Sequence, residues 1–243
     1  MTGKRLKKEK SVSVVIPTMN DADYAKVTVG TVDKILRKEK AVGKYEIILI
    51  DDSNEIENKK LKKYCGKIAR IISRGRRMGM GSAVLRGIKE SKNDVVVIME
   101  CDMSCHPKYI PGFLRKINEG YDMVIGSRYV KGSKFKKYAF KKMVSSIGNK
   151  LTKFMLGTNL NDHTIIFRAF LKNKISLPKE CSNKEVFLAQ FLIESLKNGC
   201  GVAEIPVSYI ERKTSYSKIY LMEECLEYFD WLFKTFVERI IPI

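Results

Sequence analysis

Residues 95–111 read VVVIMECDMSCHPKYIP: an unbroken apolar run, two acids one residue apart at Glu100 and Asp102, then a serine, a histidine and two prolines. Apolar residues with no polar alternation predict a strand covered on both faces, the habit of a parallel sheet. Similar runs at 12–16, 45–50, 67–72 and 121–126 alternate with amphipathic segments at 24–38, 81–91 and 109–119. That alternation marks βαβ units, so the first half predicts an α/β fold with a mostly parallel sheet and helices on both faces. Past residue 130 come a basic helix at 140–156, a short strand near 163–168, a helix at 185–197 and a strand at 202–207. No linker or repeat parts them from the first half, and one domain is expected.

In such a sheet, ligands bind outside the carboxyl ends of the strands. The polar residues that follow each strand then share one rim: 18–21, Asp51 and Asp52, 74–80, 100–106, and Ser127 with Arg128. Glu100 and Asp102 stand where a site is built.

Composition narrows the partners. Lys and Arg outnumber Asp and Glu by 46 to 27, a formal charge of +19 on 243 residues. So basic a chain is drawn to phosphates, whether of nucleic acid, nucleotide sugar or anionic lipid. No aromatic-interleaved basic motif points to nucleic acid, and none is expected as a partner. The six cysteines form no C-x-x-C pair and no signal peptide is evident, which predicts reduced thiols in a cytosolic setting. Cys101, Cys105 and His106 do not have the spacing of a structural zinc site, and a fourth ligand is lacking. The longest apolar stretches fall well short of the ~20 residues that cross a bilayer.

Each rim segment carries two readings. Glu100 and Asp102, with the Ser104 hydroxyl, can converge on a hard divalent cation that holds a diphosphate; alternatively, one of them caps the helix that begins near Pro107. Asp51-Asp52-Ser53 can accept hydrogen bonds from a base or ribose, or simply begin a turn. The glycines of Arg76-Arg77-Met78-Gly79-Met80-Gly81 allow close approach to a diphosphate, or a flexible entry to the next helix. Arg128 is placed for a phosphate; Lys141 and Lys142 are either the same or the wet face of a helix. The hydroxyl-rich loop 211–218 has Arg212 and Lys218 six residues apart and can close over an anion. On the last helix, Leu221, Cys225, Phe229, Leu232, Phe236 and Ile240 share a face that predicts core packing first, membrane-surface docking second and subunit contact third.

Order joins these pieces. IPTMND, ILIDDS, RRMGMGSAVLRG, MECDMSCHPKYIP, VIGSRYVKGS, NDHTIIFRAF and EIPVSYIERKTSYSK succeed one another from about Val12 to Lys218. The succession resembles the inverting GT-A glycosyltransferases, most of all the dolichyl-phosphate mannose synthase group, with its Rossmann-like GT-A fold. The resemblance implies that Pro17, Met19 and Asp21 line a nucleotide and that Ile50 and Asp52 hold its base side. Glu100, Cys101, Asp102 and Ser104 would form the element that binds Mg²⁺ or Mn²⁺ and the diphosphate. Arg128, Arg212 and Lys218 would bind donor or acceptor phosphates, and Lys141 or Lys142 stands where arginines are usual. Asp102 and Arg128 carry most of the catalytic expectation. The chain departs from the pattern at Glu100 for the first Asp, Cys101 for Ala, Cys105-His106 for His-Asp, Ile165-Ile166 for Ser-Gly, and Ser215 for a Gly.

The activity expected is transfer of a mannose- or glucose-like sugar from a GDP- or UDP-linked donor to a polyprenyl (dolichyl-type) phosphate, with inversion. The enzyme is expected to be peripheral on the cytoplasmic face of a membrane, held by an anionic surface or a membrane subunit. Residues 1–10 are expected to be a basic flexible tail, 11–218 the catalytic domain, and 219–243 an amphipathic helix packed on the domain or the membrane. Two alternatives remain at this stage. One is a GT-A transferase with a sugar or protein hydroxyl acceptor, for which Asp162 is the candidate base. The other is a nucleotide-sugar-binding subunit without catalysis.

Overall fold

Val95–Ile98 form a strand in which all four side chains are buried, as their unbroken apolar pattern requires. The computed structural model describes residues 9–136, 139–211 and 218–241, with backbone alone for residues 141 and 218–221. In chain order the elements are β1 (Lys10–Thr18), α1 (Ala22–Lys38), β2 (Val42–Asp51), α2 (Glu55–Cys65), β3 (Arg70–Ser73), α3 (Met80–Glu90), β4 (Val95–Ile98), α4 (Ile110–Asn118), β5 (Met123–Ser127), β6 (Lys134–Lys136), α5 (Ala139–Leu156), β7 (Arg168–Leu171), α6 (Val186–Lys197), β8 (Val202–Pro206), β9 (Ser208–Ile210) and α7 (Lys218–Ile240).

Seven strands make one sheet in the order β3-β2-β1-β4-β7-β5-β8, and β6 pairs with β9 in a second, two-stranded sheet. Within the large sheet only β7 runs antiparallel to its neighbours. The chain lays β2 and β3 on one side of β1 and then crosses to put β4 on the other, pairing Val15 with Ile98. This reversal between β1 and β4 is the switch point at which an α/β sheet opens a crevice at its carboxyl rim.

Helix packing follows the sequence pattern. On α1, Ala22, Ala25, Val29, Val32 and Leu36 recur at three- and four-residue spacing and are buried. Helix α3 lies so near β1 that a methyl group added at Gly87 would overlap Val15 Cγ1.

Four local expectations are corrected. Helix α2 was not foreseen, because its Lys-rich surface leaves only Asn58, Leu61 and Cys65 buried; Asn54 starts it by accepting the Glu57 N–H. The strand expected at 67–72 begins at Arg70, since the Ile68 and Ala69 N–H groups turn back to the Cys65 carbonyl. The strand expected at 163–168 lies instead at Arg168–Leu171. Its predicted carbonyls at His163 and Ile165 are taken by the buried Arg168 guanidinium, so they make no ladder. On α7, Leu232 and Thr235 point inward, whereas Phe229 and Ile240 are exposed; Leu221 lies outside the described side chains. Of the basic segment 1–10, residues 1–8 lie outside the described residues, and Lys10 opens β1.

Gly87→Ala is expected to lower stability by about 1–3 kcal/mol, the ordinary cost of overpacking a close contact. Urea unfolding measures it; an unchanged midpoint would mean that α3 and β1 are not so closely apposed.

Candidate active site

Two loops meet at the switch point, and each holds a non-glycine residue with positive φ: Asn20 (φ 55°) after β1 and Met103 (φ 64°) after β4. Asparagine tolerates that region, but methionine does so at a cost, and such strain gathers where a loop must present particular groups. Met103 lies in a tight turn in which the Asp102 Oδ1 accepts the Ser104 N–H at 2.9 Å. The turn is tied down by the Ile210 N–H, which donates to the Ser104 carbonyl, and by an isolated bridge between Cys105 and Tyr209.

Glu100 is half-buried as a residue, yet its Oε2 is sealed from solvent and, among the described residues, has no hydrogen-bond partner. Burial, with Asp102 adding repulsion, pushes the Glu100 carboxyl up to about 8. An orphaned acid oxygen beside a second acid is a donor set that suits a hard cation. Glu100 and Asp102 therefore fit Mg²⁺ or Mn²⁺ in donor chemistry, with coordination positions left for diphosphate oxygens and water. Among the described residues, no group of three or more His, Cys, Asp and Glu gathers to hold a metal. Cys101 and Cys105 are buried beside the turn, and burial pushes the Cys101 thiol up to about 12 and the Cys105 thiol upward too, so both stay neutral. His106 is engaged locally: its Nδ1 accepts the Lys108 N–H and caps the short helical turn at Pro107–Tyr109.

On the β1–β2 side, Pro17 is half-buried, Met19 is exposed and Asp21 is half-buried, all at the rim. Ile50, expected at the base side of a nucleotide, is a core side chain with no exposure, because β2 is covered on both faces there. Asp52 is also committed within the protein. Its two oxygens take Arg74 Nε at 2.5 Å and Nη2 at 2.6 Å, and Oδ2 also accepts the Met78 N–H at 2.8 Å. The pair is almost wholly buried, and it pins loop 74–79 to the end of β2.

The glycines of that loop have an internal reason too. Gly79 has φ 92°, and a side chain there or at Gly81 would run into the backbone of 182–184. The Gly81 N–H donates to the Asn183 carbonyl at 2.9 Å. The close approach that glycine permits is thus to residues 182–184 of the same chain.

Beyond β5 the rim is cationic and aromatic. Arg128 is 8% exposed, and Asp162 is completely buried beside it. The Arg128 Nε and Nη2 donate to Asp162 at 2.7 Å each, its backbone N–H donates to the same carboxylate at 2.9 Å, and Nη2 also donates to Thr164 Oγ1. Burial alone would lower the Arg128 pKa, but Asp162 holds it above the ordinary arginine range. Tyr129, Phe135 and Tyr209 wall the guanidinium, with ring centroids 5.1–5.6 Å from it. Lys142, exposed on α5, has its Nζ 5.7 Å from the Phe135 ring, so two cations share one aromatic wall.

Several of these residues carried no signal in sequence. Glu204, Asn149 and Thr164 pin the loop that bears Asp162 and His163 or touch Arg128 itself; only their contacts across the fold mark them. Arg212 lies outside the described residues, as do the side chains of Lys141 and Lys218. The structure brings Glu100, Asp102, Arg128 and Lys142 to one rim, joined through Tyr209, Cys105 and Phe135.

Comparison with known proteins identifies the family and the fold. Residues 13–176 match the family model described as glycosyl transferase family 2. A dolichol-phosphate mannosyltransferase of Pyrococcus furiosus is 35% identical over 139 residues, covering 56% of this chain but only 38% of its own length. A polyprenol monophosphomannose synthase of Mycolicibacterium smegmatis is 27% identical over 217 residues, covering 85% of this chain and 80% of its own. Among solved structures, glucosyl-3-phosphoglycerate synthase of Mycobacterium tuberculosis, in complex with Mn²⁺, uridine diphosphate and phosphoglyceric acid, superposes with a TM-score of 0.70 at 18% identity, over 90% of this chain and 76% of that one, a likeness of fold. With its switch-point acids and its GT-A sheet, the chain belongs to glycosyl transferase family 2.

Proposed function

We propose that this glycosyltransferase moves a mannose- or glucose-like sugar from a GDP- or UDP-linked donor to a polyprenyl phosphate, inverting the anomeric carbon. The observation that carries the reading is the cationic, aromatic wall at Arg128: three rings enclose its guanidinium, and Lys142 lies against one of them. Asp162, the candidate base for a hydroxyl acceptor, is buried and already accepts three hydrogen bonds from Arg128. A hydroxyl acceptor would need a base to take its proton, whereas a phosphate monoester is already an anion near neutral pH. The names of the Pyrococcus and Mycolicibacterium relatives support the same acceptor class.

In this reading a phosphate oxygen of the acceptor attacks the anomeric carbon, and the bond from that carbon to the donor diphosphate breaks as the nucleotide leaves. Arg128 and Lys142 align the acceptor phosphate, while Arg212 and Lys218 serve the donor diphosphate. Glu100 and Asp102, with the Ser104 turn, would hold Mg²⁺ or Mn²⁺, which neutralises charge on the diphosphate when bound. Asp52 serves the base side indirectly, by fixing Arg74 and the 74–79 loop. Residues 11–218 are the catalytic domain, and α7 (Lys218–Ile240) supplies the C-terminal helix.

A lipid acceptor requires a meeting with the bilayer, and two helices offer it. Helix α5 exposes Phe140, Met143, Ile147, Leu151 and Phe154 at three- and four-residue spacing, with Lys142, Lys150 and Lys153 also exposed. Helix α7, packed on α5 through Tyr228 and Thr152, exposes Met222, Leu226, Phe233 and Ile240. Among the described residues no helix is long and apolar enough to cross a membrane. The helices would therefore lie on the cytoplasmic face, with lysines toward anionic headgroups.

The reading is tested by incubating a panel of nucleotide sugars with a polyprenyl phosphate and Mg²⁺ or Mn²⁺, then weighing the lipid by mass spectrometry. One sugar mass added to the lipid phosphate is expected, and Asp102→Ala abolishes it in a folded protein. No product from any donor with the parent enzyme would refute it.

The acid pair predicts how metal binding depends on pH. Because Glu100 is pushed up to about 8, a cation must displace a proton below that pH, and its affinity falls about tenfold per unit as pH drops. The rise in melting temperature with Mn²⁺ should be larger at pH 8 than at pH 6, and Glu100→Gln should remove the difference. An equal rise at both pH values in the parent would contradict the assignment.

Vesicles test the docking helices. Sedimentation with anionic vesicles at low salt is expected, lost at high salt and weakened by Phe154→Ser with Leu226→Ser. Equal binding to neutral vesicles, or none to either, would exclude this mode of attachment.

A further inference from the structure

Arg128 does not hold its place alone. Its neighbour Asp162 lies in a stretch, 157–167, that belongs to no helix or strand, and so lacks ladder bonds of its own. What anchors this turn is Glu204 on β8, an edge strand of the sheet. Its Oε1 accepts the Asp162 N–H at 2.9 Å, and its Oε2 accepts the Asn161 N–H at 3.0 Å and the Asn161 side-chain amide at 2.8 Å. Asp162 then fixes both the backbone and the guanidinium of Arg128. Strands β5 and β8 run side by side, pairing Ile125 with Glu204 and Ser127 with Pro206. Arg128 is thus gripped from two adjacent strands, from β5 through the chain and from β8 through Glu204.

This grip determines which atoms are left over. Nε and Nη2 of Arg128 are spent on Asp162 and Thr164, and among the described residues Nη1 has no hydrogen-bond partner. The three rings restrain the plane of the guanidinium, so Nη1 can point in few directions.

We infer that Glu204 is a positioning residue: through the Asn161–Asp162 turn it sets the direction of Arg128 Nη1 toward the acceptor phosphate, and so governs acceptor use without touching the substrate. The inference rests on the reading of Arg128 as the acceptor-phosphate ligand. Glu204→Gln keeps the volume but turns one of the two acceptor atoms into a donor facing N–H groups, which tilts or loosens the turn.

The test is a double-mutant cycle of Glu204→Gln and Arg128→Ala, with three readouts: KM for polyprenyl phosphate, Kd for the nucleoside diphosphate by calorimetry, and melting temperature. Glu204→Gln is expected to raise the acceptor KM about tenfold while leaving nucleotide Kd within about twofold. In the Arg128→Ala background it should add less than about twofold, because nothing remains to be positioned. A Glu204 effect that multiplies fully on Arg128→Ala, or falls equally on nucleotide binding, would overturn the inference. If Arg128→Ala raises the acceptor KM and Glu204→Gln does not, positioning fails but the acceptor site stands. If Arg128→Ala itself leaves acceptor KM unchanged, the site assignment fails and the inference with it. Should Glu204→Gln lose nucleotide binding along with its melting transition, Asn161→Ala keeps both backbone contacts to Glu204 and removes only the side-chain amide, with its bonds to Glu204 and to the exposed Lys153; a severalfold rise in acceptor KM is then expected, and an unchanged value overturns the proposal.

Discussion

A sheet buried on both faces leaves polar chemistry nowhere to go but its ends. Val12–Ile16, Ile47–Ile50 and Val95–Ile98 are enclosed on both faces and apolar apart from Ser13, so acids and cations that serve a ligand belong after a strand, not on one. The reversal of strand order between β1 and β4 then decides which ends matter, since the crevice opens there. Glu100 and Asp102 occupy that position because β4 stops just before them. Burial there, with Asp102 adding repulsion, raises the Glu100 pKa.

Two buried ion pairs flank the crevice, and both shape the site from within. Arg74–Asp52 fixes the loop on the β2 side, and Arg128–Asp162 fixes the cation on the β5 side. Buried pairs add little net stability, because desolvation offsets most of the attraction, but removing one partner is costly, about 3–5 kcal/mol. Their value here is geometric. Asp162 holds both the backbone and the guanidinium of Arg128, Glu204 ties down the Asp162 turn, and the rings of Tyr129, Phe135 and Tyr209 pack around the guanidinium.

What was legible in the sequence followed from periodicity. The run from Val95 and the acids after it announced the strand, the rim and the candidate cation site without any distant contact. Helix α2 escaped because lysines conceal a thin buried stripe, and β7 was displaced because the Arg168 side chain takes the carbonyls that a strand would have used. Asp52 and Asp162 were read as ligand or base because nothing local reveals their partners: Arg74 is 22 residues from Asp52, and Arg128 is 34 from Asp162. Glu204 was silent for the same reason. It sits in VAEIP like any strand acid, and only the fold brings Asn161 and Asp162 to it. The outward apolar face of α5 was masked by its lysines, and on α7 membrane docking stood second to core packing in the reading of its apolar stripe.

The central claim is that the pocket at Arg128 takes a phosphate and needs no base. It is tested most directly by competition, offering the enzyme polyprenyl phosphate and the matching polyprenol together, at equal concentration in the same vesicles, with donor and metal. The account predicts sugar on the phosphate alone, in the parent enzyme, and loss of that product in Arg128→Ala. Glycosylated polyprenol in comparable yield, unaffected by Arg128→Ala, would contradict it.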